Sequence, residues 1–405
     1  MLTDSYNVSV CRLLLALCSL CVLCGDNLAQ NFKTLHDGVE YAQLDHNLGG
    51  EPVKINLLRL DLKKVRLDVH HAFDKAIGLE TTSSIAKRNG AVAAINAGFF
   101  RLDKSEFAGD AAGILQIDRQ LWSESTNNRS AIAIQNGGQH TIVEFGNFQT
   151  EIVAGFGVDS EFAFHGINRD RKANEIVLYT PQYGATTRTD PNSIEIQITG
   201  CEVREFSRWC NKTEVSENSG NSPIPSDGFV VSIGKGAIEK SNNILYFAKR
   251  TSSRPLHFEN TLRLVMKIDF GKGMAWNSFE DVTNGVSRLI RTGKIDITWE
   301  QEKASRSFAE TRHPRTAVAK LKGRKFLMMT VDGRQPGVSV GMSLQELAEY
   351  LISLGAVDAM NLDGGGSTTM FLDSKVVNTP SDKEGERKVG DAILVTLRKK
   401  PSSKK

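Results

Sequence analysis

The densest chemical signal in the sequence is the run Met360 to Met370, which reads Met-Asn-Leu-Asp-Gly-Gly-Gly-Ser-Thr-Thr-Met. A strand over Val357–Leu362 would deliver Asp363 to its carboxyl end, with Gly364, Gly365 and Gly366 following at once. Glycines cost backbone entropy, so a fold keeps three together where the chain needs positive φ or close approach to another group. Successive N–H groups in such a turn can form a concavity for an anion, and Ser367, Thr368 and Thr369 add hydroxyl donors. A tight hairpin turn would use the same glycines. No lysine follows them and the spacing is wrong, which excludes a nucleotide phosphate loop and a dinucleotide-binding fingerprint.

Three further segments place polar residues at the end of an apolar run. Asn96 and Gly98 follow Ala91–Ile95, His313 and Arg315-Thr316 precede Ala317–Ala319, and Asp332-Gly333-Arg334 follow Phe326–Val331. Each alone is ordinary, because Asp-Gly is usually a turn and Arg-Thr usually surface. Together they offer two carboxylates, two arginines and a glycine turn, the groups that cleavage of a phosphorylated sugar requires. Arg315 and Arg334 suit bidentate contact with phosphate oxygens, with Thr316 beside them. Asp363 and then Asp332 are the candidates to stabilise an oxocarbenium ion or to activate water. Asn96 suits a sugar hydroxyl or amide, and His313 a phosphate contact or a proton shuttle.

The four segments, in chain order NAGFF, HPRTAVA, VDGR and SVGMSLQELAEYLISLGAVDAMNLDGGGSTTM, resemble the phosphodiester glycosidase family. The resemblance runs from about Ala91 to Leu397 and takes in Glu386-Arg387-Lys-Val389. It implies a hydrolase acting on a sugar-1-phosphodiester of the N-acetylglucosamine-1-phosphate type, or on a related envelope or exopolysaccharide glycan. The competing reading is a secreted glycan-binding or adhesin protein that keeps the fold without turnover.

The elements that would position these residues read mostly as β. Leu57–Leu62 and Val65–Val69 alternate apolar and polar residues, the mark of half-buried strands. Ala131–Ile134, Ser193–Ile198, Phe229–Ile233 and Leu262–Ile268 are further strands. Two helices are signalled. One covers about Ser83–Asn89 and stops at Gly90; the other opens on the capping box Ser343-Leu-Gln-Glu346 and ends at Gly355. Many strands and few helices predict an α+β class, one large domain of mixed β-sheets over residues 30–397 with its active site at strand ends. The stretch 201–227, rich in Ser, Asn, Gly and Pro towards its end, reads as an insertion with an exposed loop from Glu214 to Asp227.

Composition excludes several classes. With 40% hydrophobic and 24% charged residues, the chain is neither disordered nor a polytopic membrane protein. Its 50 Lys+Arg against 47 Asp+Glu give a net charge of +3, and five positives lie in residues 398–405. The body is therefore slightly acidic, which argues against a nucleic-acid partner, and the basic tail reads as disordered. No cofactor and no metal site is expected: His70 and His71 would point to opposite faces of a strand.

Leu13 to Cys24 is an apolar run of twelve preceded by Arg12. It is too short to span a bilayer and reads as a signal peptide over residues 1–29, which makes the protein secreted or periplasmic with no membrane span in the mature chain. Four of the six cysteines lie in or beside that run, leaving Cys201 and Cys210 to pair as a local disulfide. Mass spectrometry of exported protein should find a mature terminus near Gln30; an intact Met1 terminus would refute export by cleavage.

Overall fold

The strand Val65–His71 shows how the sequence pattern becomes structure. Val65, Leu67, Val69 and His71 are buried, while Arg66, Asp68 and His70 are only half-buried. That is the period of two imposed by a sheet with one face against a core. The computed structural model describes residues 31–156, 160–204, 207–217, 220–238, 262–269 and 279–399. The apolar run 13–24, the cleavage point near Gln30, the four N-terminal cysteines and all of the basic tail beyond Lys399 lie outside the described residues. From Thr34 onward the described chain forms one compact unit.

Two sheets position the candidate residues. The first has eight strands, and its centre runs Glu51–Asp61, Lys325–Val331, Arg315–Leu321, Ala356–Asn361 in spatial order. The second has five, with Met370–Leu372, Ala93–Asn96, Asp391–Leu397 and Val65–His71 side by side. Their facing side chains make a shared core: Leu58, Leu60, Val318, Met328 and Met360 from the first meet Leu67, Val69, Ile95, Ile393 and Val395 from the second. Ile132 and Ile134, on a strand of a third sheet, close the same core. Most pairings are antiparallel, and Gly166–Ile167 runs parallel to Ile176–Tyr179. The expected α+β class with mixed sheets and few helices is therefore the one adopted.

Both signalled helices form. The first, expected over about Ser83–Asn89, runs Thr82–Arg88 with Thr81 as its N-cap, accepting from Ser84 N. Leu344–Ser353 carries the full capping box: Ser343 Oγ accepts from Glu346 N at 3.2 Å and Glu346 Oε2 accepts from Ser343 N at 2.9 Å. Its buried residues are Leu344, Leu347, Ala348, Tyr350 and Leu351, and Gly355 leaves the helix at φ +82°. Two short helices, Lys235–Ile238 and Arg306–Glu310, carry no sequence signal strong enough to read.

The stretch 201–227 corrects one expectation. Glu214–Glu217 belongs to the strand Ser207–Glu217, paired along its length with Ser193–Arg204. Backbone pairing overrides the polar composition that suggested a loop. Cys201 and Cys210 stand directly opposite each other in this hairpin and form the expected disulfide. Replacing both cysteines by serine should lower the unfolding free energy by about 2–3 kcal/mol, the scale for a short closed loop. Urea titration of oxidised protein reads this, and an unchanged midpoint would refute it.

Candidate active site

Antiparallel neighbours bring the starts and ends of strands to the same edge. Arg315 opens a strand opposite Val331, which closes the next, and Ala317 pairs with Asn361 on the third. His313, Arg315, the Asp332–Arg334 segment and Asp363 therefore gather at one edge of the large sheet. One backbone bond joins that edge to the five-stranded sheet's neighbourhood, Asp363 N donating to Ala97 O at 2.9 Å, while Leu362 N donates to Thr316 O at 2.8 Å within the large sheet.

The Asn96 side chain fastens the junction. Its Nδ2 donates to Asp363 O at 2.7 Å, and its Oδ1 accepts from Thr316 Oγ1 at 2.8 Å and Thr369 N at 3.1 Å. Asn96 and Thr316 are buried, so both act on the position of the site rather than on a ligand. The same holds for Asn361, whose Nδ2 donates to Val286 O and Leu362 O.

The glycine turn is required by geometry at two positions. Gly365 sits at φ +61°, where a side chain is strained. A Cβ on Gly366 would lie 2.1 Å from Arg387 Nη2 and 2.2 Å from Asp382 Oδ1, so the Arg387–Asp382 pair can pack over the turn only if that residue is glycine. The turn is not the open row of N–H groups that its sequence suggested. Gly365, Ser367, Thr368 and Thr369 donate to Pro314 O, Gly364 O, Gly365 O and Asn96 Oδ1. The hydroxyls of Thr368 and Thr369 are buried without a hydrogen-bond partner, that of Ser367 is buried beside the Asp363 carboxylate, and none of the three residues lines the cleft.

The cleft itself has a volume of about 400 Å³. Its lining brings together His313, Arg315, Arg334, Asp363 and Gly364–Gly366, and adds Phe99, Ser305, Ser307, Phe308 and Arg387. Arg315 is 1% exposed; Nε donates to Met342 O at 2.8 Å, and Nη2 to Phe308 O at 2.7 Å and Thr311 O at 3.1 Å. Its guanidinium also lies 5.0 Å from the centre of the Phe308 ring. Burial, then the charge of Arg334, pulls its pKa down to about 9. Arg334 is exposed and sits beside Gly365. Among the described residues neither arginine has a carboxylate at ion-pair distance, whereas Arg387 holds Asp382 through two bonds of 2.7 and 3.0 Å.

Two titratable groups face these cations. His313 lies below its usual pKa because of burial and then the charges of Arg315 and Arg334, so it is neutral at neutral pH. Asp363 lines the cleft but is largely buried, and desolvation pushes its pKa up to about 7; the nearby Ser367 hydroxyl, the Arg387 charge and Gly364 N–H oppose this. Asp391 adds repulsion from behind, its own carboxylate accepting from Gly98 N and Thr283 Oγ1.

Asp332 does not join them. Its carboxylate is 1% exposed, accepts from Asn378 Nδ2 at 3.1 Å and Thr379 N at 3.0 Å, and is absent from the cleft lining. It ties the 378–379 segment to the strand end. The expected pair of carboxylates is thus replaced, among the described lining residues, by Asp363 alone. Sequence reasoning missed Arg387, although Glu386-Arg387 lay in a noted motif, and missed Phe308, which arrives on an unsignalled helix. Among the described residues no cluster of three or more His, Cys, Asp or Glu could hold a metal ion.

Comparison with known proteins agrees with the motif reading. The phosphodiester glycosidase family model matches residues 211–396, just under half of the chain, and the chain resembles that family there. The N-acetylglucosamine-1-phosphodiester alpha-N-acetylglucosaminidase of Bos taurus is 35% identical over 115 residues, 26% of this chain and 21% of that protein. The chain thus matches only about a fifth of that relative's length. A hypothetical protein from Synechocystis shares the fold with a TM-score of 0.70 at 22% identity, covering 92% of this chain and 64% of that one. A protein of Burkholderia pseudomallei K96243, described as a candidate exported protein, aligns with a TM-score of 0.69 at 21% identity over 85% of this chain and 74% of its own.

The two unpaired arginines should separate in a stability assay. Arg315→Ala strands three carbonyls and should cost about 2–3 kcal/mol, whereas Arg334→Ala, on an exposed side chain, should stay within about 0.5 kcal/mol of the parent. Equal losses in urea titration would refute this assignment of roles.

Proposed function

We propose that the chain is an exported glycoside hydrolase that cleaves a sugar-1-phosphodiester, releasing the sugar from its phosphate. The observation that carries this reading is the gathering of Arg315, Arg334, His313 and Asp363 around one cleft, on the segment that matches the phosphodiester glycosidase family. The name of the bovine relative supports N-acetylglucosamine as the sugar. The apolar N-terminal run, with a fold neighbour described as a candidate exported protein, supports export.

In such a substrate the leaving group is a phosphate monoester, already a weak base. Its departure needs charge stabilisation more than a strong acid. Arg334, free of any carboxylate among the described residues, suits the phosphate oxygens; Arg315 adds positive potential from the floor. Neutral His313 beside them can take up a proton as the phosphate's charge raises its basicity. Cleavage breaks the bond between C1 and the phosphate oxygen, and the electron pair leaves with the oxygen. Water adds to C1 and gives its proton to Asp363, whose pKa of about 7 suits a general base working near neutrality. With Asp332 outside the cleft, the arrangement is one carboxylate working among cations, not the two-carboxylate device of most glycosidases.

Asp363→Asn should lower kcat by at least about 100-fold on the best sugar phosphodiester, and wild-type kcat/KM should rise with pH through about 7 as the base ionises. Turnover at the parental rate by folded Asp363→Asn protein would refute the role. Stability gives a second reading. The carboxyl holds its proton more tightly folded than unfolded, so folding binds extra proton between about pH 4 and 7. Ionising it therefore removes stability as pH rises through that window. Asparagine abolishes the effect, so the variant should gain stability relative to wild type between pH 4 and pH 8. Arg334→Ala should raise KM and weaken inhibition by inorganic phosphate, since phosphate charge is present in ground and transition states alike.

A further inference from the structure

A second cleft, of about 330 Å³, takes part of its wall from the helix Arg306–Glu310 and includes Trp299, Glu310, Leu344 and Gln345 in its lining. The helix has five residues, a length of about 7.5 Å. Ser307 and Phe308 line the first cleft while Ala309 and Glu310 line the second, so this short helix contributes to the wall of both.

The segment that leads into this helix is anchored. Glu302 is 1% exposed and accepts from Ser130 N at 3.1 Å, Ser130 Oγ at 2.6 Å, Arg288 N at 3.2 Å and Thr298 Oγ1. Ala304 N donates back to Trp299 O at 2.9 Å. A buried carboxylate with four donors fixes the turn, and the turn places the half-buried Trp299 in the lining of the second cleft. The uncovered part of the indole is an apolar face on which a ligand can stack. Beside it stand two exposed polar side chains. Glu310 uses Oε1 on Arg306 at 2.8 Å and Gln345 uses Nε2 on Glu349 at 2.7 Å. Glu310 Oε2 and Gln345 Oε1 are of a type that accepts from hydroxyls. The lining holds no Lys or Arg, in contrast to the first cleft, so it does not suit a phosphate.

We infer that this second cleft is a subsite for a neutral glycan unit, continuing from the sugar phosphodiester bound in the first. A pyranose offers an apolar C–H face for Trp299 and hydroxyl edges for Glu310 and Gln345. The continuity of the ligand rests on the reading of the first cleft given above; the binding of a neutral glycan does not. The substrate class becomes an oligosaccharide or polysaccharide phosphodiester rather than a single sugar on a small alcohol.

The test is isothermal titration of the full chain with phosphate-free oligosaccharides of two to six hexose or N-acetylhexosamine units, and separately with inorganic phosphate. At least one oligosaccharide should bind, Trp299→Ala should weaken it about tenfold or more, and Trp299→Phe should keep most of the affinity. Phosphate affinity should be unchanged in both Trp299 variants and reduced in Arg334→Ala. Binding of no oligosaccharide, or equal binding by Trp299→Ala, overturns the subsite. Should Trp299→Ala not fold, Glu310→Gln and Gln345→Ala, on exposed side chains, must each weaken the same oligosaccharide about threefold or the proposal falls. Loss of the phosphate effect at Arg334 with the Trp299 effect intact would overturn the phosphodiester reading and leave the glycan subsite standing.

Discussion

The buried amide of Asn96 is the contact on which the cleft depends. It ties the end of a strand in one sheet to Thr316 in the other, to the glycine turn through Thr369 N, and to the backbone carbonyl of Asp363. Inside a protein such bonds are stronger than in water, and breaking one leaves its partners without solvent to replace it. Asp363 and Arg315 lie on segments pinned by the same side chain, so their separation cannot drift without losing buried hydrogen bonds. That is preorganisation in physical form: the carboxylate is held relative to the cation before any ligand arrives.

Around that anchor the charges are unbalanced by design of the backbone. Arg315 is buried, a position that opposes its charge, and three carbonyls and an aromatic face offset the loss of water without neutralising it. Arg387 is neutralised by Asp382 and serves instead to cover the glycine turn. The net result is positive potential at Arg315 and Arg334, an uncharged His313 and a carboxyl poised near neutrality. Each shift has a separable cause: desolvation for Asp363, and desolvation with two neighbouring cations for His313.

Several residues read as ligand contacts turn out to hold the site together. Asp332 and Arg334 stand two apart after a strand, where a regular strand would place both on one face. Gly333 and the positive φ of 60° at Arg334 break that register. Asp332 then turns inward to Asn378 and Thr379 while Arg334 turns to the cleft. Ser367 and Thr368 were legible as hydroxyls beside glycines, but the short turn at Gly365–Ser367 buries both, and neither lines the cleft. Phe308 joins from a five-residue helix too short to show a period.

What the sequence determined by itself is local and periodic. The alternation of Val65–His71, the capping box at Ser343, the stop at Gly355, the Cys201–Cys210 pair and the chemical types at each strand end all follow from spacing that acts over a few residues. The family resemblance also lay there, in motifs around Arg315, Arg334 and Asp363. Only the tertiary structure decided which of those polar groups share a cleft. Asp332 and Asp363 are equivalent as text, each a carboxylate after an apolar strand and before a glycine. Which becomes solvent-facing depends on the register of three antiparallel strands and on a second sheet packed across them. Those contacts join residues hundreds of positions apart, as Asn96 with Asp363 does, and no local pattern encodes them.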